Sequence, residues 1–222
     1  MPESAPRATD SKARLAEILA ASPTLMRVLT IARELALPDW RIVSGAVYQT
    51  AWNALTGRAP DYGIRDYDLV YFDGADLSYE GEDIHIRRTA AAYAPDLSDK
   101  VEVRNQARVH LWFEGKFGEP YAPLTCTDEA LERFVSPAYG VGVRLEPDGQ
   151  LDIAAPFGLE DMFAMRLRPN PRRGLATGWA RVTRGVVERE QYRPRSGGMH
   201  VGLVARRWVE VNPSRRSTVC VT

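Results

Sequence analysis

Short apolar runs with strand periodicity interleave along this chain with longer stretches of helical periodicity. That alternation constrains the fold more than any other feature, because it calls for a sheet with helices packed on it. Lys12 to Ala20 suits a short helix with Leu15, Ile18 and Leu19 inward. Ser22-Pro23 opens a second helix, proline being favourable at the first helical position, and Pro38 ends it. Its stripe is Leu25, Val28, Leu29, Ala32 and Leu35. Arg41 to Ser44 reads as a buried strand, Gly45 as a turn, and Ala46 to Thr56 as a helix closed by Gly57. From Arg65 to Phe72 the chain alternates: Asp66, Asp68, Val70 and Phe72 share one face, Tyr67, Leu69 and Tyr71 the other. Ser78 to Tyr93 is predicted as a helix with Ser78 as N-cap and Pro95 as its stop. Val101 to Phe113 reads as a long strand, Asp128 to Phe134 as a short helix, and Gly158 to Leu167 as a helix. Val141 to Leu145 and Leu151 to Ala154 form a hairpin around Pro147-Asp148-Gly149. The pattern predicts a mixed α/β or α+β domain over residues 11–170, after a disordered leader at 1–10.

Composition narrows the class. Apolar residues are 45% and charged residues 26% of the 222, which excludes wholesale disorder. No apolar run approaches the ~20 residues of a membrane span, and Met1 to Asp10 has no secretory core, so the expectation is a cytoplasmic protein with no membrane partner. Cys126 and Cys220 are too few for a disulfide framework, and His85 and His200 have no companions at zinc-ligand spacing. The formal net charge of zero conceals two segments. Residues 171–222 carry 11 Arg, no Lys and 3 Glu, a net of +8; residues 1–170 carry a net of −8.

Three features could carry chemistry together: Ser44-Gly45-Ala46 at a strand–helix junction, Asp66-Tyr67-Asp68 on the next strand, and Glu102 within Val101-Glu102-Val103-Arg104. Strand residues i and i+2 lie on one face, ~6.5 to 7 Å apart. Two aspartates so placed can share a pair of hard cations such as Mg²⁺, and a third carboxylate from a neighbouring strand would complete a two-metal site. A small turn leading into a helix lets backbone N–H groups approach phosphates. The competing reading of the acids is an exposed strand face, and spacing alone does not decide it. Glu80 and Glu82, and Glu188 and Glu190, have the same spacing and suggest no function.

Three blocks carry a resemblance. They are Ser44-Gly45-Ala46-Val47-Tyr48-Gln49-Thr50-Ala51-Trp52-Asn53, then Gly63-Ile64-Arg65-Asp66-Tyr67-Asp68-Leu69-Val70-Tyr71-Phe72-Asp73, then Val101-Glu102-Val103-Arg104-Asn105-Gln106-Ala107-Arg108-Val109-His110-Leu111-Trp112. Together with Ala155-Pro156-Phe157-Gly158-Leu159 and Arg168-Pro169-Asn170-Pro171, the chain resembles a bacterial, formerly uncharacterised nucleotidyltransferase-like family. That family is placed in the DNA polymerase β-type nucleotidyltransferase superfamily, and the likeness runs over about residues 12 to 170. It implies an α+β fold, a small mixed β-sheet flanked by helices, the polymerase β-type nucleotidyltransferase fold. It also implies a metal-dependent enzyme that transfers NMP from an NTP to a hydroxyl of an acceptor, which could be a small molecule, RNA or protein. Asp66 and Asp68 would bind Mg²⁺ or Mn²⁺, Glu102 would take the third-carboxylate role, and Ser44 and Gly45 would form the phosphate turn. Ala46 stands where the superfamily usually has Ser or Gly, and Glu102 where Asp is common. The alternative is a nucleotide- or RNA-binding module of the same fold without turnover.

Arg104, Gln106, Arg108 and His110 would share the face of Glu102 on a regular strand. Arg104 or Arg108 could then bind the triphosphate bidentately, or instead pair with the aspartates. His110 could be a base or a structural group, and Trp40, Tyr48 and Trp52 could stack on a base or fill the core. Asp73 could be a further ligand or a turn residue; Asp152 is unassigned. The atypical Arg-rich C-terminal extension, 171–222, continues a helical stripe through Leu175, Trp179, Val182 and Val186, then loses it. It reads as a polyanion contact with Trp179 and Trp208 for stacking, or as a solvated extension. Arg outnumbers Lys 26 to 3, as in GC-rich coding, and frame-shifted GC-rich DNA yields such text, so the last ~30 to 45 residues are read as an atypical terminus.

Overall fold

The computed structural model describes residues 8–173. Among these described residues seven α-helices and five strands follow in order: α1 (Ala8–Ala20), α2 (Pro23–Leu35), β1 (Arg41–Val43), α3 (Gly45–Leu55), β2 (Tyr67–Tyr71), α4 (Tyr79–Tyr93), β3 (Val101–Asn105), α5 (Val109–Phe117), α6 (Thr127–Leu131), β4 (Gly142–Leu145), β5 (Leu151–Ala154) and α7 (Glu160–Phe163). The strands form one mixed sheet in the order β3-β2-β1-β4-β5. Among the described residues only β2 and β3 pair in parallel, and α4 makes the crossover between them. The α+β architecture implied by the resemblance is therefore present.

Alternation sorts the sheet into two faces. Ile42, Tyr67, Leu69, Tyr71, Val103, Val143 and Ile153 face a single core shared with α1, α2, α3 and α7. The α2 stripe, Leu25, Val28, Leu29, Ala32 and Leu35, is buried there as the sequence pattern requires. Ser22 caps that helix, accepting the Leu25 N–H at 3.4 Å, and Ala36 in the left-handed region ends it before Pro38. The second face carries Val43 and Val70 with Leu131 of α6 over them, and beside this small patch stand the acids.

Several sequence expectations change. The predicted leader loses residues 8–10 to α1, and residues 1–7 lie outside the described residues. The strand expected over Val101 to Phe113 stops at Asn105. Its side chain accepts the Ala107 N–H at 3.1 Å, and the chain turns through a 3₁₀ turn into α5. The helix expected over Gly158 to Leu167 is a single turn, Glu160–Phe163. Met165 has φ +50°, and Asp161 pairs with Arg166 and Arg168 beyond it. The stripe through Leu175, Trp179, Val182 and Val186, and Val201–Val211, lie outside the described residues. Among the described residues no single helix is long and apolar enough to cross a membrane.

Candidate active site

Sheet register brings the sequence-selected residues together. Val43 lies opposite Asp68, and Asp68 opposite Glu102, so β1, β2 and β3 meet in one row at this end of the sheet. Ser44-Gly45 leaves β1 directly from that row. Asp66 precedes β2 and is exposed, whereas Asp68 and Glu102 are half-buried. A Cβ added to Gly45 would sit 3.9 Å from Asp66 Oδ1 and 3.4 Å from Gln49 Nε2, so the turn and the first aspartate are in close approach.

The turn has an unusual backbone. Ser44 has φ +56° and ψ −118°, a region that side-chain-bearing residues rarely occupy and that costs on the order of 1–3 kcal/mol. Its carbonyl accepts the Val47 and Tyr48 N–H groups at 2.9 and 3.0 Å, and its side chain caps nothing. The Gly45 and Ala46 N–H groups have no partner among the described residues. Two free donors at the start of an 11-residue helix, with the helix dipole behind them, form a cradle for an anion.

Electrostatics marks Asp68. Burial, reinforced by Asp66 and then Glu102, pushes its carboxyl up from 3.8 to about 7, and Arg104 opposes this only weakly. The Asp68 carboxylate makes no hydrogen bond or ion pair among the described residues. Arg104 lies on the Glu102 face, half-exposed. Its guanidinium donates to the Val103 carbonyl at 2.9 Å and stands 3.8 Å from Glu102.

The other expectations divide. Because β3 ends early, Gln106, Arg108 and His110 leave the Glu102 face. Arg108 instead forms a nearly buried ion pair with Glu82 of α4 and donates to the Leu77 carbonyl at 3.0 Å, so its charge is committed away from the acid row. Glu82 also accepts the Asn105 N–H at 2.9 Å. No sequence signal singles it out, since its partners are more than twenty residues distant. Trp40 and Trp52 are core residues, and Trp52 donates to the Met162 carbonyl at 2.8 Å. Tyr48 stacks on Tyr139 at 4.3 Å. Asp73 accepts the Ala75 N–H at 2.9 Å, a turn role. Asp152 pairs with Arg41 and Arg144. Cys126 is a free, half-buried thiol. Sequence reading missed Gln49, which is 6% exposed with a buried, unpartnered Oε1 one turn into α3.

Residues 30–191 match a family described as nucleotidyltransferase. The chain belongs to this nucleotidyltransferase family. A solved NMR structure described as revealing a CCA-adding enzyme head domain matches with a TM-score of 0.60 at 28% identity, over 71% of this chain and 78% of that one. No curated protein matches. The match places this nucleotidyltransferase among transferases of nucleoside monophosphates, which generally use an NTP donor and divalent metal ions. It also reaches past residue 170, into the Arg-rich segment.

The donor set suits such ions: three carboxylates supply only hard oxygen ligands, and Asp68 is held among like charges without a cationic partner of its own. Their side chains do not converge. Among the described residues no group of three His, Cys, Asp or Glu stands arranged around one point. Asp66 is exposed and the Glu102 side chain 41% exposed, so both are free to turn inward.

Proposed function

We propose that this nucleotidyltransferase moves an NMP from an NTP to a hydroxyl of an acceptor, using the row formed by the Ser44–Gly45 turn, Asp66, Asp68 and Glu102. The observation that carries the proposal is the register that sets Asp68 beside Glu102 and both beside the strained turn. Asp66, Asp68 and Glu102 would hold Mg²⁺ or Mn²⁺. When bound, the ions supply charge neutralisation for the triphosphate and acidify the attacking hydroxyl. The Gly45 and Ala46 N–H groups receive phosphate oxygens, and Arg104 reaches the triphosphate from β3. Arg108 has no part in this arrangement. Likeness to a head domain of a CCA-adding enzyme favours nucleotide addition over nucleotide binding alone. The acceptor class, small molecule, RNA or protein, is open to assay, as is a polyanion contact through the Arg-rich extension at 171–222.

The unconverged carboxylates favour a second reading, a nucleotide-binding module without turnover. Calorimetry with ATP, GTP, CTP and UTP, with and without Mg²⁺, followed by radiolabel transfer to cell extract, separates the two. Metal-dependent labelling that Asp68→Asn abolishes supports the transferase. Tight binding with no labelling supports the module, and binding that is equal without metal removes the carboxylate assignment.

A further inference from the structure

Gln49 is buried in a way the fold alone does not explain. It is 6% exposed, and its Oε1 has no hydrogen-bond partner among the described residues. Its Nε2 donates to the Tyr48 hydroxyl at 3.5 Å, the outer limit of a hydrogen bond. A carbonyl oxygen taken from water with no replacement partner destabilises the folded chain, so its place calls for a partner that arrives from outside.

The position of the side chain says where that partner binds. Gly45 opens α3 and Gln49 follows at i+4, so the glutamine leans back toward the helix start and lies over Gly45. Nε2 comes within 3.4 Å of the point a Gly45 Cβ would occupy, and Asp66 Oδ1 within 3.9 Å of the same point. The amide thus stands at the cradle formed by the unpartnered Gly45 and Ala46 N–H groups, beside the first aspartate. Those backbone donors suit phosphate oxygens. The Gln49 carbonyl does not, because a phosphate oxygen has no proton to give it and would meet Oε1 with like charge. The partner of Oε1 must be a donor, and a hydroxyl beside it can accept from Nε2. An NTP carries two adjacent hydroxyls on its ribose, a few bonds from the α-phosphate.

On the reading of this row as an NTP site, we infer that Gln49 sets the sugar specificity of the enzyme. Oε1 accepts from one ribose hydroxyl and Nε2 donates to its neighbour, while the phosphates lie on the Gly45–Ala46 turn. A ribonucleotide completes the buried amide; a deoxynucleotide leaves it unpaired.

Calorimetry on the full chain with the Mg²⁺ complexes of ATP, 2′-deoxyATP, 3′-deoxyATP and inorganic tripolyphosphate tests this. The wild type should bind at least one deoxy analogue roughly tenfold or more weakly than ATP, because the missing hydroxyl strands a buried group of the site. Gln49→Met keeps the length of the side chain and removes its hydrogen bonding. It should bind ATP as weakly as the wild type binds that analogue, lose the discrimination, and change tripolyphosphate binding by less than about twofold. It should not lower the unfolding midpoint of the ligand-free protein, since the contact to Tyr48 is the hydrogen bond it gives up. Equal wild-type binding of the three nucleotides overturns the inference without any variant and leaves the NTP site standing. An equal loss of ATP and tripolyphosphate in Gln49→Met overturns it by making Gln49 a phosphate contact. A clear fall in the midpoint overturns it because the amide is then satisfied within the fold. A wild type that binds none of the four ligands removes the NTP site itself, and the sugar assignment with it.

Discussion

Replacing Asp68 with Asn should stabilise the metal-free protein at neutral to alkaline pH. The folded chain raises this carboxyl from 3.8 to about 7. A raised carboxyl binds its proton more tightly in the folded than in the unfolded chain, so folding stability falls as pH rises between those values. Below about pH 4 the group is protonated in both states and costs nothing; above about pH 7 the full penalty applies. A rise from 3.8 to about 7 is equivalent to about 4 kcal/mol as an upper bound, and half-burial with side-chain relaxation brings about 2 kcal/mol into range. For a domain of this size that is roughly 4 to 8 °C of unfolding midpoint. The assay is thermal unfolding of wild type and Asp68→Asn from pH 4 to 8.5 in chelator. The two curves should coincide at low pH and diverge upward through pH 7, with Asn the more stable. Taking the difference between variants removes Asp76, Asp96 and Glu129, whose carboxyls are lowered and which shift stability in the opposite sense. Mg²⁺ should then raise the wild-type midpoint at pH 8 and leave Asp68→Asn unmoved. Parallel curves across the whole pH range, or an Asn variant less stable at pH 8 in chelator, would refute the reasoning.

Gly45→Ala should fold normally, because the added methyl meets nothing closer than 3.4 Å and the helix gains propensity. It should nevertheless weaken Mg–NTP binding tenfold or more by narrowing the space between turn and Asp66, as read by calorimetry. Arg104→Ala should leave the unfolding midpoint within about 1 °C and weaken NTP binding roughly tenfold; unchanged binding removes Arg104 from the site. Glu82→Gln should cost about 3 kcal/mol, because it leaves the Arg108 charge nearly buried without its partner, and the loss is read by denaturant unfolding.

The layered fold is legible because its periodicities are local. The α2 stripe, the Ser78 cap and the β4–β5 hairpin each follow from residues within one turn or one strand of each other. The acid row is legible through spacing on β2, but the neighbour that supplies Glu102 is set by the crossover through α4, which no local pattern encodes. The ends of elements are the weak point. Val101 to Phe113 reads as a continuous strand in sequence, and the turn after Asn105 is held by contacts that sequence does not show: its side chain accepts the Ala107 N–H, and Arg108 pairs with distant Glu82. A strand continued past Asn105 would carry Arg108 onto the wrong face, where spacing alone aims it at a triphosphate. Gln49 is invisible for a different reason. A glutamine in the middle of a helix looks like a surface residue until the neighbouring turn folds over it.

Among the described residues strand β3 closes one side of the sheet, with β2 on one flank and no described strand on the other. Outer strands open to solvent at lower free energy than central ones, and here the outer strand supplies one of the three carboxylates. A cation held across β2 and β3 would therefore act as a rivet. Amide hydrogen exchange in Val101–Asn105 should slow when the ion binds, while exchange in central β1 stays as it was. The Glu82 carboxylate, clasping both Arg108 and the Asn105 N–H, anchors the far end of that strand. An acid that touches no nucleotide would thus govern how often the site exists in assembled form.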